Sequence, residues 1–104
     1  MEEVSNVRRL RANQRFKLFL PTCMRLGHEL VHCNILDLSV TGALVTATRP
    51  AAIGVTVFLR VGDRNRAARV VRRDGRQFGV EFAVALSAEE VAALVDGNRD
   101  AAVA

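Results

Sequence analysis

Two groups of residues stand out for the chemistry they could perform. Arg11 and Arg15 lie four apart in a polar stretch near the start, and the segment Asp37-Leu38-Ser39-Val40-Thr41-Gly42 follows further along. An arginine fork can donate two hydrogen bonds to O6 and N7 of one guanine, and a second arginine can clamp a phosphate. A carboxylate such as Asp37 can accept from the N1–H and N2–H groups on the edge the arginine leaves open, while the Ser39 hydroxyl can both donate and accept. Glycine at position 42 permits a positive φ and a close approach of backbone to ligand. These residue types together suit a guanine nucleotide. Each piece also has a plainer reading. Two arginines four apart are commonly a solvated charge cluster, and Asp, Ser and Gly collect in turns for conformational reasons alone.

A second pattern, His28-Glu29-Leu30-Val31-His32, spells the H-E-x-x-H of zinc hydrolases. That chemistry needs a helix, which brings both imidazoles to one face, and a third protein ligand. The chain has no other histidine, and no acidic residue lies between Asp37 and Asp63. The β-leaning run Val31–Leu36 overlaps the motif, and in a strand positions four apart are separated by about 13 Å. The match reads as coincidence. Cys23 and Cys33 fit no C-x-x-C zinc or redox spacing and are too few for a disulfide framework. They read as reduced, buried thiols.

Composition narrows the partners. Of 104 residues, 15 are basic and 11 acidic, for a net charge of +4, and lysine contributes only Lys17 to the basic set. Arginine suits phosphates and guanine edges better than lysine does, although a GC-rich genome would also enrich it. Arg60, Arg64, Arg66, Arg69, Arg72, Arg73 and Arg76 make the later strands basic, as a small barrel binding RNA or single-stranded DNA would be. Such modules carry aromatic stacking platforms. Here the aromatics are five Phe with no Trp or Tyr, and the five read mostly as core. Nucleic acid is therefore disfavoured. No apolar run approaches the roughly 20 residues of a spanning helix, and the polar start carries no secretory signal. A cytoplasmic protein without membrane insertion is expected.

The elements that must position these residues are short and mostly extended. Strands are expected at Phe16–Leu20, Leu30–Leu36, Ala43–Thr48, Val55–Val61, Arg66–Arg73 and Gln77–Ala83. Pro21 and Gly27 punctuate a loop or a hairpin turn around them, and Asp37–Gly42 is expected as a turn. Gly62–Asn65 and Asp74-Gly75 read as hairpin turns. Phe78, Val80 and Phe82 share one strand face. Six short strands suit a closed antiparallel barrel or a sandwich. Ser87-Ala88-Glu89-Glu90 fits a capping box opening a helix, with Leu86, Val91, Leu94 and Val95 on one face and Gly97 as the stop. The domain reading is a basic arm over 1–14, a barrel with its helix over 15–97, and a frayed tail over 98–104.

An R-x-x-x-R arm followed by a [D/N]-x-S-x-x-G turn, ahead of a closing strand Gln77-Phe78-Gly79-Val80-Glu81-Phe82 and a C-terminal helix, resembles the PilZ family. The resemblance spans roughly residues 8–95. It implies a mainly β fold, a six-stranded antiparallel barrel with a C-terminal helix, and binding of cyclic di-GMP without catalysis or cofactor. It implies that Arg11 and Arg15 hold phosphates and guanine Hoogsteen edges, that Asp37 and Ser39 hold a guanine from the barrel side, and that Gly42 shapes the turn. Arg8 and Arg9 would add phosphate contacts outside the defining motif. Leu10, just before the first motif arginine, leans toward one ligand molecule rather than a stacked pair. An arginine guanidinium would replace the stacking aromatic of some relatives.

The resemblance further implies an arm that is mobile alone and wraps over the ligand, an order–disorder switch. The altered surface would signal to an unidentified protein partner, in control of motility, attachment or biofilm formation. A PilZ-like adaptor that binds only protein, and the nucleic-acid barrel, are the alternatives.

Overall fold

The alternation of apolar and polar residues along most of the chain buries one face of each strand, and the sheet curls until that face is enclosed. The computed structural model describes residues 14–103, with side chains through residue 98. Six strands, β1 (Phe16–Leu26), β2 (Glu29–Leu38), β3 (Gly42–Ala47), β4 (Thr56–Val61), β5 (Arg64–Asp74) and β6 (Gln77–Phe82), are followed by helix α1 (Ala88–Val103). All pairings are antiparallel, and the strands close into a barrel in the order β1-β2-β3-β6-β5-β4. Closure runs through Met24↔Leu59 and Arg25↔Phe58. The ring of strands thus closes where the end of β1 meets β4.

The interior is filled by Met24, Ile35, Val45, Val57, Leu59, Val70, Phe78 and Val80, all buried. Phe78, Val80 and Phe82 face inward together, as their spacing requires. Of the other three phenylalanines, Phe16 is half-buried, whereas Phe19 and Phe58 are exposed. The reading of the Phe set as mostly core therefore holds for Phe78 and Phe82 but not for Phe19 and Phe58.

Three register shifts shape the barrel, between Lys17 and Leu20 in β1, between Ile35 and Asp37 in β2 and between Val70 and Arg72 in β5. An extra residue bends a strand and re-aims the side chains after it. The β1 shift also explains why Pro21 does not open a loop. Pro21 lies inside the continuous strand Phe16–Leu26, opposite Asn34 and just past the irregular stretch. Bulges are among the places where a sheet tolerates a residue without an N–H. The same irregularity leaves the Phe19 peptide in need of partners. The Asn98 side chain supplies both: its Nδ2 donates to the Phe19 carbonyl at 2.7 Å, and its Oδ1 accepts from the Phe19 N–H at 3.3 Å.

Asn98 reaches β1 because α1 continues through Gly97. Gly97 was expected to stop the helix, but it does not adopt the left-handed φ of a C-terminal cap. The helix start matches expectation. Ser87 Oγ accepts from the Glu90 N–H at 3.0 Å, and Glu90 Oε1 accepts from the Ser87 N–H at 3.0 Å. Glu90 also pairs with Arg66 of β5. Leu86, Val91 and Val95 are buried against the barrel. No helix among the described residues is long and apolar enough to cross a membrane.

Candidate ligand-binding site

Asp37 owes its position to the β2 bulge. Val31, Cys33 and Ile35 point into the barrel, and unbroken alternation would send Asp37 in after them. A lone carboxylate there would be costly to bury. The register instead steps from Ile35↔Val45 to Asp37↔Leu44, leaving Leu36 as the extra residue. Asp37 moves to the outer surface, and Leu38 takes the core position. The expected turn at Asp37–Gly42 is therefore shorter than the motif. Asp37 and Leu38 end β2, and only Ser39, Val40 and Thr41 bridge to β3.

That bridge is fastened on several sides. The Ser39 N–H donates to the Gly42 carbonyl at 2.9 Å. Ser39 Oγ accepts from the Gly42 N–H at 3.2 Å and the Thr41 N–H at 3.3 Å. The Phe82 N–H donates to the Thr41 carbonyl and the Leu86 N–H to the Val40 carbonyl, tying the bridge to the end of β6 and the approach to α1. Ser39 is only 2% exposed. The hydroxyl expected to meet a ligand is turned inward, where it closes the turn.

Gly42 also differs from expectation. Its φ is not positive. Glycine is required by proximity: a Cβ here would stand 2.3 Å from the Val80 carbonyl oxygen. The absent side chain lets the start of β3 lie against β6 and thereby sets the position of the bridge.

Arg15 reaches this corner. Its Nη1 lies 3.0 Å from Asp37 Oδ1, and the side chains are 48% and 17% exposed, so the pair sits on the surface with the carboxylate the more enclosed partner. The paired strands Lys17↔Asp37 and Phe16↔Leu38 direct the start of β1 at the end of β2. Arg8, Arg9, Leu10 and Arg11 lie outside the described residues. Among the expected site residues, the structure thus brings together Arg15, Asp37, Ser39 and Gly42.

The surface beside Asp37 holds residues that motif reading missed. Cross-strand pairing runs Lys17↔Asp37, Asp37↔Leu44, Leu44↔Gly79 and Gly79↔Arg72, a single row over β1, β2, β3, β6 and β5. A depression of about 300 Å³ at the far end is lined by residues that include Leu44, Arg72, Arg73, Asp74, Gln77 and Gly79, two arginines beside one carboxylate. A glycine inside an otherwise regular strand was the available signal, because it marks close approach. The alignment with Asp37 rests on two bulges that no local pattern announces.

The other candidates fall elsewhere. His28 is in the β1–β2 turn and His32 is in β2, an extended strand that cannot converge the two imidazoles. Cys33 is buried and opposite Thr22, while Cys23 is opposite His32. Burial, reinforced by Cys23, pushes the Cys33 thiol up to about 12.

Comparison with known proteins agrees with this architecture. The PilZ domain family model matches residues 9–97. The chain is similar to the crystal structure of the PilZ domain of CeSA from a cellulose-synthesizing bacterium, at 22% identity and a TM-score of 0.62, covering 82% of this chain and 97% of that one. No curated protein matches it. With the family model spanning the barrel, the bridge and the end of the arm from residue 9, the chain belongs to the PilZ domain family, a family known as cyclic di-GMP receptors and made of binding domains rather than enzymes.

Proposed function

We propose that this protein is a cyclic di-GMP receptor whose ligand sits on the outer barrel surface at Asp37, under an arm carrying Arg8, Arg9, Arg11 and Arg15. The observation that carries the reading is the bulge that turns Asp37 out of the core and beside Arg15. A carboxylate acceptor and a guanidinium donor, held together at the rim of a fastened bridge, match the two edges of a guanine. Ser39 and Gly42 act by fixing that bridge. The ligand orders the arm from Arg8 to Arg15 over Asp37, and the new surface is read by a protein partner. The protein works in the cytoplasm without catalysis or cofactor, and its output is control of motility, attachment or biofilm formation.

Calorimetric titration with cyclic di-GMP tests this, with cyclic di-AMP, which carries the same two phosphodiester charges, as the competitor. Micromolar or tighter binding is expected. Arg15→Ala and Asp37→Ala should each weaken it by about 1.5–3 kcal/mol, the range for a charged hydrogen bond. The pair is surface-exposed and contributes about 0–1 kcal/mol to folding, so both variants should melt near the parent. Absence of binding by the parent, or equal binding by both variants, refutes the reading.

A further inference from the structure

We infer that Arg72 forms the far wall of the nucleotide site, holding the end of the ligand that Asp37 does not reach; this rests on the receptor reading above. Arg72 lies on β5, three strands from Asp37 in the barrel order β2-β3-β6-β5. At about 4.8 Å per strand the two backbones stand about 14 Å apart. The side chain closes part of that distance. A Cβ on Gly79 would meet Arg72 Nε at 2.8 Å and Cγ at 2.9 Å, so Arg72 lies across β6 at the point where β6 has no side chain. Leu44 forms the floor between Asp37 and the Arg72 side chain, which itself covers Gly79.

The β5 bulge creates this placement. Val70 points inward opposite Val80, Val71 is the extra residue, and Arg72 then pairs with Gly79 in the same row as Asp37. Among the described residues, Arg49 pairs with Glu29 and Arg66 with Glu90, while Arg72 makes no ion pair. It is exposed beside a depression of about 300 Å³. An acceptor carboxylate at one end, an apolar floor and a planar donor fork at the other suit a ligand with two purines and two phosphates. Asp37 takes the donor edge of one guanine, and Arg72 takes the O6/N7 edge or phosphate of the other half.

Titration of cyclic di-GMP into the parent, Asp37→Ala, Arg72→Ala, Arg72→Lys and Gly79→Ala separates this from the underlying reading. Arg72→Ala should weaken binding about tenfold to a hundredfold with an unchanged melting temperature. Arg72→Lys should recover only part of that loss, since it keeps the charge and removes the fork. Gly79→Ala should weaken binding by displacing an intact Arg72. Parent binding that is lost in Asp37→Ala but kept in Arg72→Ala overturns the Arg72 wall and leaves the receptor reading standing. Full recovery in Arg72→Lys overturns the planar contact. No binding by the parent overturns both proposals.

Discussion

Replacing Gly42 with alanine should damage the fold more than the same change at Gly79 or Gly27, and the local geometry says why. The new Cβ would stand 2.3 Å from the Val80 carbonyl oxygen, where contacts under 3.0 Å are essentially never seen. The obstacle is backbone, held between β3 and β5 by the Ala43↔Val80 and Val70↔Val80 pairings, so no rotamer change relieves it. The two strands must separate by about 0.7 Å or more. Forcing extra volume into a packed site costs about 1–3 kcal/mol, and the upper part of that range applies where backbone must move. At 4–8 °C per kcal/mol for a domain of this size, the melting temperature should fall by roughly 8–24 °C. At Gly79 the clash is with the Arg72 side chain, which is exposed and can swing away, so the loss should stay within about 1 kcal/mol. At Gly27 no atom lies within 4 Å but φ is +61°, and the cost should be about 1–2 kcal/mol of left-handed strain. Thermal unfolding followed by circular dichroism would rank the three. A Gly42→Ala protein melting within about 2 °C of the parent, or no lower than Gly79→Ala, would refute the close-approach argument.

Two further outcomes follow from groups away from the proposed site. The Ser87 N–H, with help from Arg66, holds the Glu90 carboxyl below its ordinary value of 4.5. Folding stability from this group is therefore present above the unfolded carboxylate range and lost as pH falls through the lowered folded value. Melting temperatures measured from pH 7 to pH 3 should drop less steeply in Glu90→Gln than in the parent, and parallel slopes would contradict the assignment. The Cys33 thiol, raised from 9.0 to about 12 mainly by burial, should resist iodoacetamide at pH 8 in the folded protein and react on denaturation. Mass spectrometry would detect the label, and rapid modification of Cys33 under native conditions would count against its burial.

What was legible in the sequence is what local chemistry determines. The capping box at Ser87 and Glu90, the Asp74-Gly75 turn and the inward set Phe78, Val80 and Phe82 depend on neighbours a few residues away, and each formed as read. Gly75 takes the positive φ that such a turn demands. The misreadings cluster where a distant element decides. Pro21 stays in β1 because of a bulge. Gly97 continues α1, carrying Asn98 to the Phe19 peptide. Gly42 is a glycine because Val80 lies against it, not because of its own torsion. In the proposed site, Asp37 and Ser39 were singled out by type, but their orientations were not legible. One extra residue at Leu36 decides that Asp37 faces outward, and the row that joins it to Arg72 needs a second extra residue at Val71.

These bulges bear on why an exposed ion pair can serve a receptor. Had Asp37 and Arg15 been buried together, a ligand would have to break a pair whose loss costs several kcal/mol. On the outer surface the pair contributes about 0–1 kcal/mol, so under the proposed receptor function a guanine edge would displace Arg15 from Asp37 at little expense, and Arg15 would be released toward a phosphate or a second edge. The fixed parts of the site are the ones that need no rearrangement: Ser39 bonded within the bridge, Gly42 against Val80 and the bridge carbonyls tied to Phe82 and Leu86. Rigidity is thus placed in the backbone that presents Asp37, and adaptability in the arginines around it. It follows that weakening the bridge should reduce affinity even with every ligand-facing side chain intact. Ser39→Ala is the sharpest case, because it removes a hydroxyl that faces the turn. If cyclic di-GMP bound Ser39→Ala as tightly as the parent, the bridge would not be what positions Asp37.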